Sequence, residues 1–162
     1  MTVALFSGKA RRTTAALGVA SAGLLLLSAC DKPTPRATVT VGTDSVSSEA
    51  VCYDDGAKGI AEKAMSDCLN KKAPETLKIA VDDKVRFGVD PEIAENGWTL
   101  FVNGRQGEPE PYKKTYRTFP GSAFFGATQD GQPSPKELTI SIVETGGKKL
   151  IGVWSFKLEK AS

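Results

Sequence analysis

Residues 77–89 read Leu-Lys-Ile-Ala-Val-Asp-Asp-Lys-Val-Arg-Phe-Gly-Val, and this stretch decides the predicted fold. Apolar residues occupy every second position from Leu77 to Val81 and again from Val85 to Val89. Alternation with a period of two is typical of a half-buried β-strand, and the Asp-Asp pair between the two runs favours a turn. Asp90-Pro91 ends the second run because proline cannot donate a hydrogen bond to a ladder. The stretch therefore predicts two strands separated by a turn.

The same alternation recurs on both sides of that stretch. Further strands are predicted at 37–41, 45–53, 98–102 and 112–119, and a C-terminal hairpin is predicted with Leu138, Ile140 and Ile142 facing in and Gly146-Gly147 at its turn. Apolar residues between 57 and 70 recur at helical spacing instead. About seven or eight short strands separated by turn residues are typical of an antiparallel sandwich. We predict a mainly β fold, an antiparallel immunoglobulin-like β-sandwich over residues 38–160 with a short helical insertion near 57–70.

The segment 120–135 interrupts this pattern with glycines and prolines. We expect a long loop there, with Phe124 and Phe125 turned down onto the domain. A loop that covers aromatic side chains offers a place for a ligand pocket. The basic and aromatic run from Tyr112 to Arg117 is predicted to be a solvated strand face, and the alternative is a surface that contacts anionic headgroups or a wall polymer.

The N-terminal residues 1–29 have the three parts of an export signal. Basic residues near the start precede an apolar run that ends at Leu27, and small residues then precede Cys30. The apolar run is shorter than the ~20 residues that span a bilayer, although a retained transmembrane anchor is the alternative. Leu27-Ser28-Ala29-Cys30 resembles the lipobox of bacterial lipoproteins, which implies cleavage before Cys30 and acylation of its thiol. We predict a lipidated linker at 30–37 and anchoring at the outer face of the bacterial cytoplasmic membrane.

The net charge limits the kinds of partner that the protein can bind, and the number of cysteines indicates whether it forms a disulfide. The chain has 21 basic and 19 acidic residues, but three of the basic residues belong to the signal, so the exported part has a net charge of −1. A nearly neutral domain has no electrostatic reason to bind nucleic acid. With Cys30 assigned to lipid, Cys52 and Cys68 form an even pair in an exported chain, which predicts one disulfide. The alternatives are two free thiols or a metal pair.

The residue types that most catalytic and metal sites need are scarce. The chain contains no histidine, so a serine–histidine triad and a blue-copper site are both excluded. The pairs Asp54-Asp55 and Asp82-Asp83 lie beside turns and are interpreted as solvated turn residues. No calcium-loop or phosphate-loop spacing occurs. We therefore predict no catalytic residues, no metal, no cofactor and no enzymatic activity.

Several of these features together resemble one family. The lipobox, the proline linker, the early cysteine pair, the run 85–94 followed by Trp98, and the closing aromatic hairpin are similar to a family of actinobacterial lipoproteins of unknown function, the DUF2771 type. The resemblance covers most of residues 38–160. It implies a location and a β-sandwich, and it implies no activity or functional residue.

These features lead to a functional hypothesis. We expect a membrane-anchored exported lipoprotein that acts as a non-catalytic binding or scaffold module at the cell envelope. Its expected partners are the membrane, through the lipid anchor, and an envelope protein or wall component. The alternative is a carrier of a small molecule or lipid, with its pocket under the 120–135 loop. Nucleic acid is not an expected partner.

Overall fold

The computed structural model describes residues 33–56, 58–126 and 134–161, and the chain separates into two units, 1–33 and 34–162. The predicted export signal and Cys30 lie outside the described residues. Only Pro33 of the first unit is described, so the fold below is that of the second. Its strands are β1 (Ala37–Val41), β2 (Asp44–Ser48), β3 (Cys52–Tyr53), β4 (Glu75–Ile79), β5 (Lys84–Val89), β6 (Trp98–Val102), β7 (Arg105–Gln106), β8 (Tyr116–Pro120), β9 (Glu137–Gly146) and β10 (Lys149–Lys160).

Helical segments are few and short. A 3₁₀ turn at Glu62–Ala64 leads into α1 (Met65–Leu69), and the other helices are α2 (Pro91–Asn96) and α3 (Ser122–Phe125). α2 starts at a proline, whose fixed φ and missing N–H suit the first position of a helix. The predicted short helical insertion near 57–70 is confirmed, and so is the mainly antiparallel β fold.

The smaller sheet has four antiparallel strands in the order β2-β1-β5-β8. Burial alternates along β1 and β5, and Val39 stands opposite Phe87 on the buried face. The larger sheet runs β3-β10-β9-β6-β7, with β4 also paired to β10. β4 runs parallel to β10, with Leu77 opposite Leu158, whereas the other described pairings are antiparallel.

The two sheets share one hydrophobic core. Val39 and Phe87 of the smaller sheet and Ile140, Trp154 and Phe156 of the larger sheet are all fully buried in it. The indole Nε1 of Trp154 donates a hydrogen bond of 2.8 Å to a backbone oxygen near the start of the unit, so its polar edge is paired as burial requires. This packing makes the two sheets a sandwich.

The turn at Asp82-Asp83 links the two sheets. β4 belongs to the larger sheet and β5 to the smaller, so the chain crosses the core at this turn and the two strands do not pair with each other. The Asp83 carboxylate accepts a hydrogen bond of 2.8 Å from the Ala80 N–H and closes the turn. Gly121 packs on the same turn, where a Cβ atom would lie 2.1 Å from the Ala80 oxygen. Only glycine therefore fits at position 121.

Some predicted strands differ from the structure. The prediction of one strand over 45–53 is wrong, because β2 ends at Ser48 in the smaller sheet and β3 begins at Cys52 in the larger one. Val81, predicted on an inward face, lies beyond β4 and is 43% exposed. The strand predicted over 112–119 begins only at Tyr116, while Tyr112 forms an isolated bridge to Trp98.

A second, smaller cluster lies on the other face of the larger sheet. Its buried members are Cys68, Phe101, Val143 and Val153. Side chains alternate between faces along a strand, so Phe101 and Val143 point away from the main core toward α1. A disulfide joins Cys52 of β3 to Cys68 of α1, which confirms the predicted pairing. The bridge holds the helix over this outer face and does not connect the two sheets.

Candidate functional site

One candidate binding site opens where an edge of the smaller sheet approaches an edge of the larger sheet. We call it the edge cavity. Its volume is about 210 Å³, and residues of β6, β8, α3 and the 107–112 loop line it. Most of the lining is apolar, and the cavity wall includes Leu100, Val102, Tyr112, Phe119, Ala123 and Phe124. The edge cavity is smaller than the ~300–1,000 Å³ typical of pockets for drug-sized ligands.

Aromatic side chains form the wall between the edge cavity and the main core. The rings of Phe119 and Phe124 meet edge to face, with centroids 6.0 Å apart, and each also packs on the buried ring of Phe87 at 6.0 and 5.8 Å. Such edge-to-face pairs are the preferred aromatic geometry. This packing explains why the side of the cavity that adjoins the core keeps a defined shape.

Trp98 and Tyr112 join the loop of the edge cavity to the larger sheet. The two residues exchange backbone hydrogen bonds of 3.0 and 2.7 Å, and their rings meet edge to face at 5.5 Å. The Trp98 indole N–H donates to the Lys114 carbonyl at 2.8 Å. These bonds fix the segment that leads into β8, and with it the position of Arg117.

Arg117 is the positively charged residue in the lining of the edge cavity. Its guanidinium lies 5.0 Å from the centroid of the Tyr112 ring and 4.8 Å from that of Phe119, within the range of cation–π attraction. Both terminal nitrogens donate to the two carboxylate oxygens of Glu108. That pair lowers the pKa of Glu108 and raises the pKa of Arg117, chiefly through the hydrogen bonds, so both groups stay charged.

A second unusual group is Glu144 on β9, whose side chain is fully buried. One carboxylate oxygen accepts a hydrogen bond of 2.7 Å from the Asn96 amide, and the other has no hydrogen-bond partner among the described residues. Burial raises the pKa of Glu144, and the negative charges of Glu92 and Asp55 add to that effect. Burial likewise raises the pKa of the nearby Tyr53 phenol to about 12, with the charge of Glu144 contributing.

Two open grooves flank α1 on the outer face of the larger sheet. One is bordered by Lys58, Lys148 and Lys149, and the other by Lys71 and Lys72, among other residues. The first is about 630 Å³ and the second about 570 Å³, and both open broadly to solvent. They are wide basic surfaces, whereas the edge cavity is narrow and apolar.

The predicted site residues fall in different places. Phe124 lines the edge cavity, whereas Phe125 is 1% exposed and belongs to the main core. The interior of the 120–135 loop, residues 127–133, lies outside the described residues. Of the basic and aromatic run, Arg117 and Tyr112 border the edge cavity, and Tyr116 is 57% exposed with Arg86 over its ring.

Sequence reasoning missed two features that the structure brings out. The ion pair between Glu108 and Arg117 joins a loop to a strand nine residues away, and no local spacing marks it. Glu144 did carry a signal, because it follows Leu138, Ile140 and Ile142 on the inward-facing positions of β9. An acidic residue at such a position indicates a buried carboxylate.

Comparisons of the chain with family models, with curated proteins and with solved structures found no match. The resemblance to actinobacterial lipoproteins therefore stays a prediction. Within the described residues, no group of three or more His, Cys, Asp or Glu side chains is placed to hold a metal ion. None of the helices in the same part of the chain is both long enough and apolar enough to cross a bilayer.

Proposed function

We propose that this protein is a non-catalytic binding module of the bacterial cell envelope, exported and held at the outer face of the cytoplasmic membrane by acyl chains on Cys30. The lipobox-like sequence before Cys30 supports the anchor. The observation that carries the binding function is the edge cavity, an apolar space with one oriented arginine. Two acyl chains anchor a protein stably where one does not, because each buried CH₂ contributes ~0.8 kcal/mol.

The edge cavity favours the carrier form of this proposal, in which the ligand is a small molecule or lipid. It lies beside Phe124, at the start of the 120–135 loop. The scaffold form, in which the partner is an envelope protein or wall component, is supported by the lysine-bordered grooves on either side of α1. Each lysine or arginine close to an anionic surface contributes ~1 kcal/mol to the binding energy.

The experiment that tests the anchor is the mass of the N-terminal peptide. The full chain is expressed in a bacterial host and recovered from membranes, and we expect the first peptide to begin at a diacylated Cys30. Cys30→Ala should lose the acyl mass and leave the membrane fraction, while Thr43→Ala, a change in the exposed turn between β1 and β2, should behave as the unchanged chain. An uncleaved, unmodified N-terminus in the unchanged chain would overturn the anchor.

The binding function is tested by what accompanies the protein. Native extraction with chemical cross-linking, followed by mass spectrometry, should recover either a stoichiometric small molecule or a stoichiometric envelope partner. A bound small molecule supports the carrier form, and a cross-linked protein or wall fragment supports the scaffold form. Recovery of the protein alone under gentle extraction would contradict both forms.

A further inference from the structure

The geometry points to a ligand class for the edge cavity: a small molecule with an apolar body and one anionic head group, which Arg117 receives in place of Glu108. This inference rests on the proposed carrier function and names the ligand chemistry of the same site. It follows from how Arg117 is held, how Glu108 is placed and how large the cavity is.

Arg117 is positioned as an anion receptor. The rings of Tyr112 and Phe119 lie 5.0 and 4.8 Å from its guanidinium and restrict its orientation. A guanidinium presents parallel N–H donors that match the two oxygens of a carboxylate, and Glu108 already uses this fork on both nitrogens. The arginine side chain is only 28% exposed and lines the apolar cavity, so an anion bound to it would lie at the cavity wall.

Glu108 is the group that a ligand can replace. It lies in the loop between β7 and Tyr112, and its side chain is 49% exposed. An ion pair that water reaches this easily contributes little to stability, so exchanging Glu108 for another carboxylate costs little. When the ligand binds, the Glu108 side chain turns outward to the solvent. The anionic group of the ligand replaces it, so Arg117 has an anionic partner both before and after binding. The Glu108 carboxylate thus occupies the position that the head group of the ligand would take.

The size of the cavity limits the apolar body. A water molecule occupies ~30 Å³ in the liquid. The edge cavity, with about 210 Å³, therefore has room for roughly seven chemical groups the size of a water molecule. A six-carbon chain ending in a carboxylate has this size. Its chain would pack against Leu100, Val102 and Phe124, and its head would reach Arg117. Glu110 also lines the cavity and is exposed, so its charge can turn outward when an anion enters.

The test uses three probes of one shape and three charges: hexanoate, hexanol and hexylammonium. The full chain is held in lipid nanodiscs, with empty nanodiscs as the blank. Binding is followed by tryptophan fluorescence, because both Trp98 and Trp154 are buried but only Trp98 borders the edge cavity. Hexanoate should bind about tenfold more tightly than hexanol, as expected when a charged hydrogen-bonded pair replaces a neutral contact.

Three variants separate the role of each charge. Arg117→Met keeps an apolar stem and should reduce hexanoate binding to the level of hexanol. Glu108→Gln removes the competing carboxylate and should tighten hexanoate binding about three- to tenfold, whereas a merely structural ion pair predicts weaker binding. Glu95→Gln removes the same charge from an exposed position of α2 that does not line the cavity, and it should change the affinity by less than about twofold.

Each outcome supports or overturns the inference. Equal binding of hexanoate and hexanol overturns the anionic head group and leaves the carrier function standing. Tightest binding of hexylammonium also overturns it, and shows that Arg117 is the displaced group and Glu108 the receptor. No binding of any probe overturns both the inference and the carrier function, since the cavity then accepts no ligand of its own size.

Discussion

Replacing Glu144 by glutamine is expected to stabilise the protein at neutral pH and to have no effect at acidic pH. The side chain of Glu144 is 0% exposed, and one of its carboxylate oxygens has no hydrogen-bond partner among the described residues. Glutamine has nearly the same shape, and its carbonyl can keep accepting the hydrogen bond from Asn96. The substitution therefore removes the buried charge and leaves a neutral NH2 group at the position of the unpaired oxygen.

The direction of this change in stability follows from the raised pKa of Glu144. Burial raises the pKa of Glu144 above its unfolded value of ~4.3, so the folded state holds the proton over a pH range in which the unfolded state has lost it. The contribution of Glu144 to the free energy of unfolding is fully present below pH ~4, and it is lost as the pH rises through the pKa of Glu144 in the folded state. Asp55 and Glu92 raise the pKa further, and the hydrogen bond from Asn96 opposes the shift.

The magnitude comes from the charge on the buried carboxylate, because the NH2 group of glutamine would be left unpaired where the second carboxylate oxygen is now. An unsatisfied buried group costs ~1–3 kcal/mol when it is neutral and more when it is charged, so the substitution removes the extra cost of the charge. Glu144→Gln should therefore raise the free energy of unfolding by about 1–3 kcal/mol at pH 7.5. For a domain of this size that corresponds to a Tm increase of roughly 3–10 °C. At pH 4 both forms are neutral, so the difference should fall below about 0.5 kcal/mol.

Urea unfolding followed by tryptophan fluorescence at pH 4 and pH 7.5 measures this difference. Glu95→Gln is the control, because it removes the same charge from an exposed position of α2 and should change stability by less than about 0.5 kcal/mol at either pH. Destabilisation by Glu144→Gln at pH 7.5 would refute the reasoning, since the carboxylate would then be stabilising. An equal gain at both pH values would show that titration is not the cause.

Three further predictions test the packing. Replacing both Cys52 and Cys68 by alanine should lower the free energy of unfolding by ~3 kcal/mol, because the bridge closes a loop over a separation of 16 residues. Dithiothreitol should lower the free energy of unfolding of the unchanged chain by the same amount, and it should have no effect on the double variant. Gly121→Ala should destabilise by more than about 2 kcal/mol in thermal unfolding, since its Cβ would clash with the Ala80 oxygen, and an unchanged Tm would show that this turn can move. Phe125→Ala should cost ~3–5 kcal/mol in urea unfolding, and a smaller loss would mean that the core collapses around the gap.

Local pattern predicted the strands that alternate most regularly. Period-two spacing predicts β1, β5 and the β9–β10 hairpin. The hairpin turn is shifted by one residue from the prediction, because Gly146 still pairs with Lys149 and the loop is Gly147-Lys148. The even pair of cysteines that remains when Cys30 is assigned to lipid predicts the disulfide. These features depend on residues close in sequence or on simple counting, so no tertiary information was needed.

The edge cavity could not be predicted in the same way. Its wall combines β6 of the larger sheet with β8 of the smaller sheet and α3, which directly follows β8, and these elements meet because β7 and β8 are edge strands of different sheets. The glycine and proline breaks predict a pocket near Phe124 and Phe125, and of these two residues only Phe124 lines the edge cavity. The pairing of Arg117 with Glu108 needed the loop geometry that Trp98 and Tyr112 fix.

The sequence by itself determined the mainly β class, the turns, the disulfide partners and the short helical insertion, because side-chain period and turn chemistry are local properties. Only the tertiary structure decided which sheet each strand joins, as the crossing at Asp82-Asp83 and the parallel pairing of β4 with β10 show. It also decided that Glu144 is buried with one oxygen unpaired and that Arg117 faces an apolar cavity. Strand partners and burial depend on contacts between residues distant in the chain, and alternation alone does not encode which of several matching faces will meet.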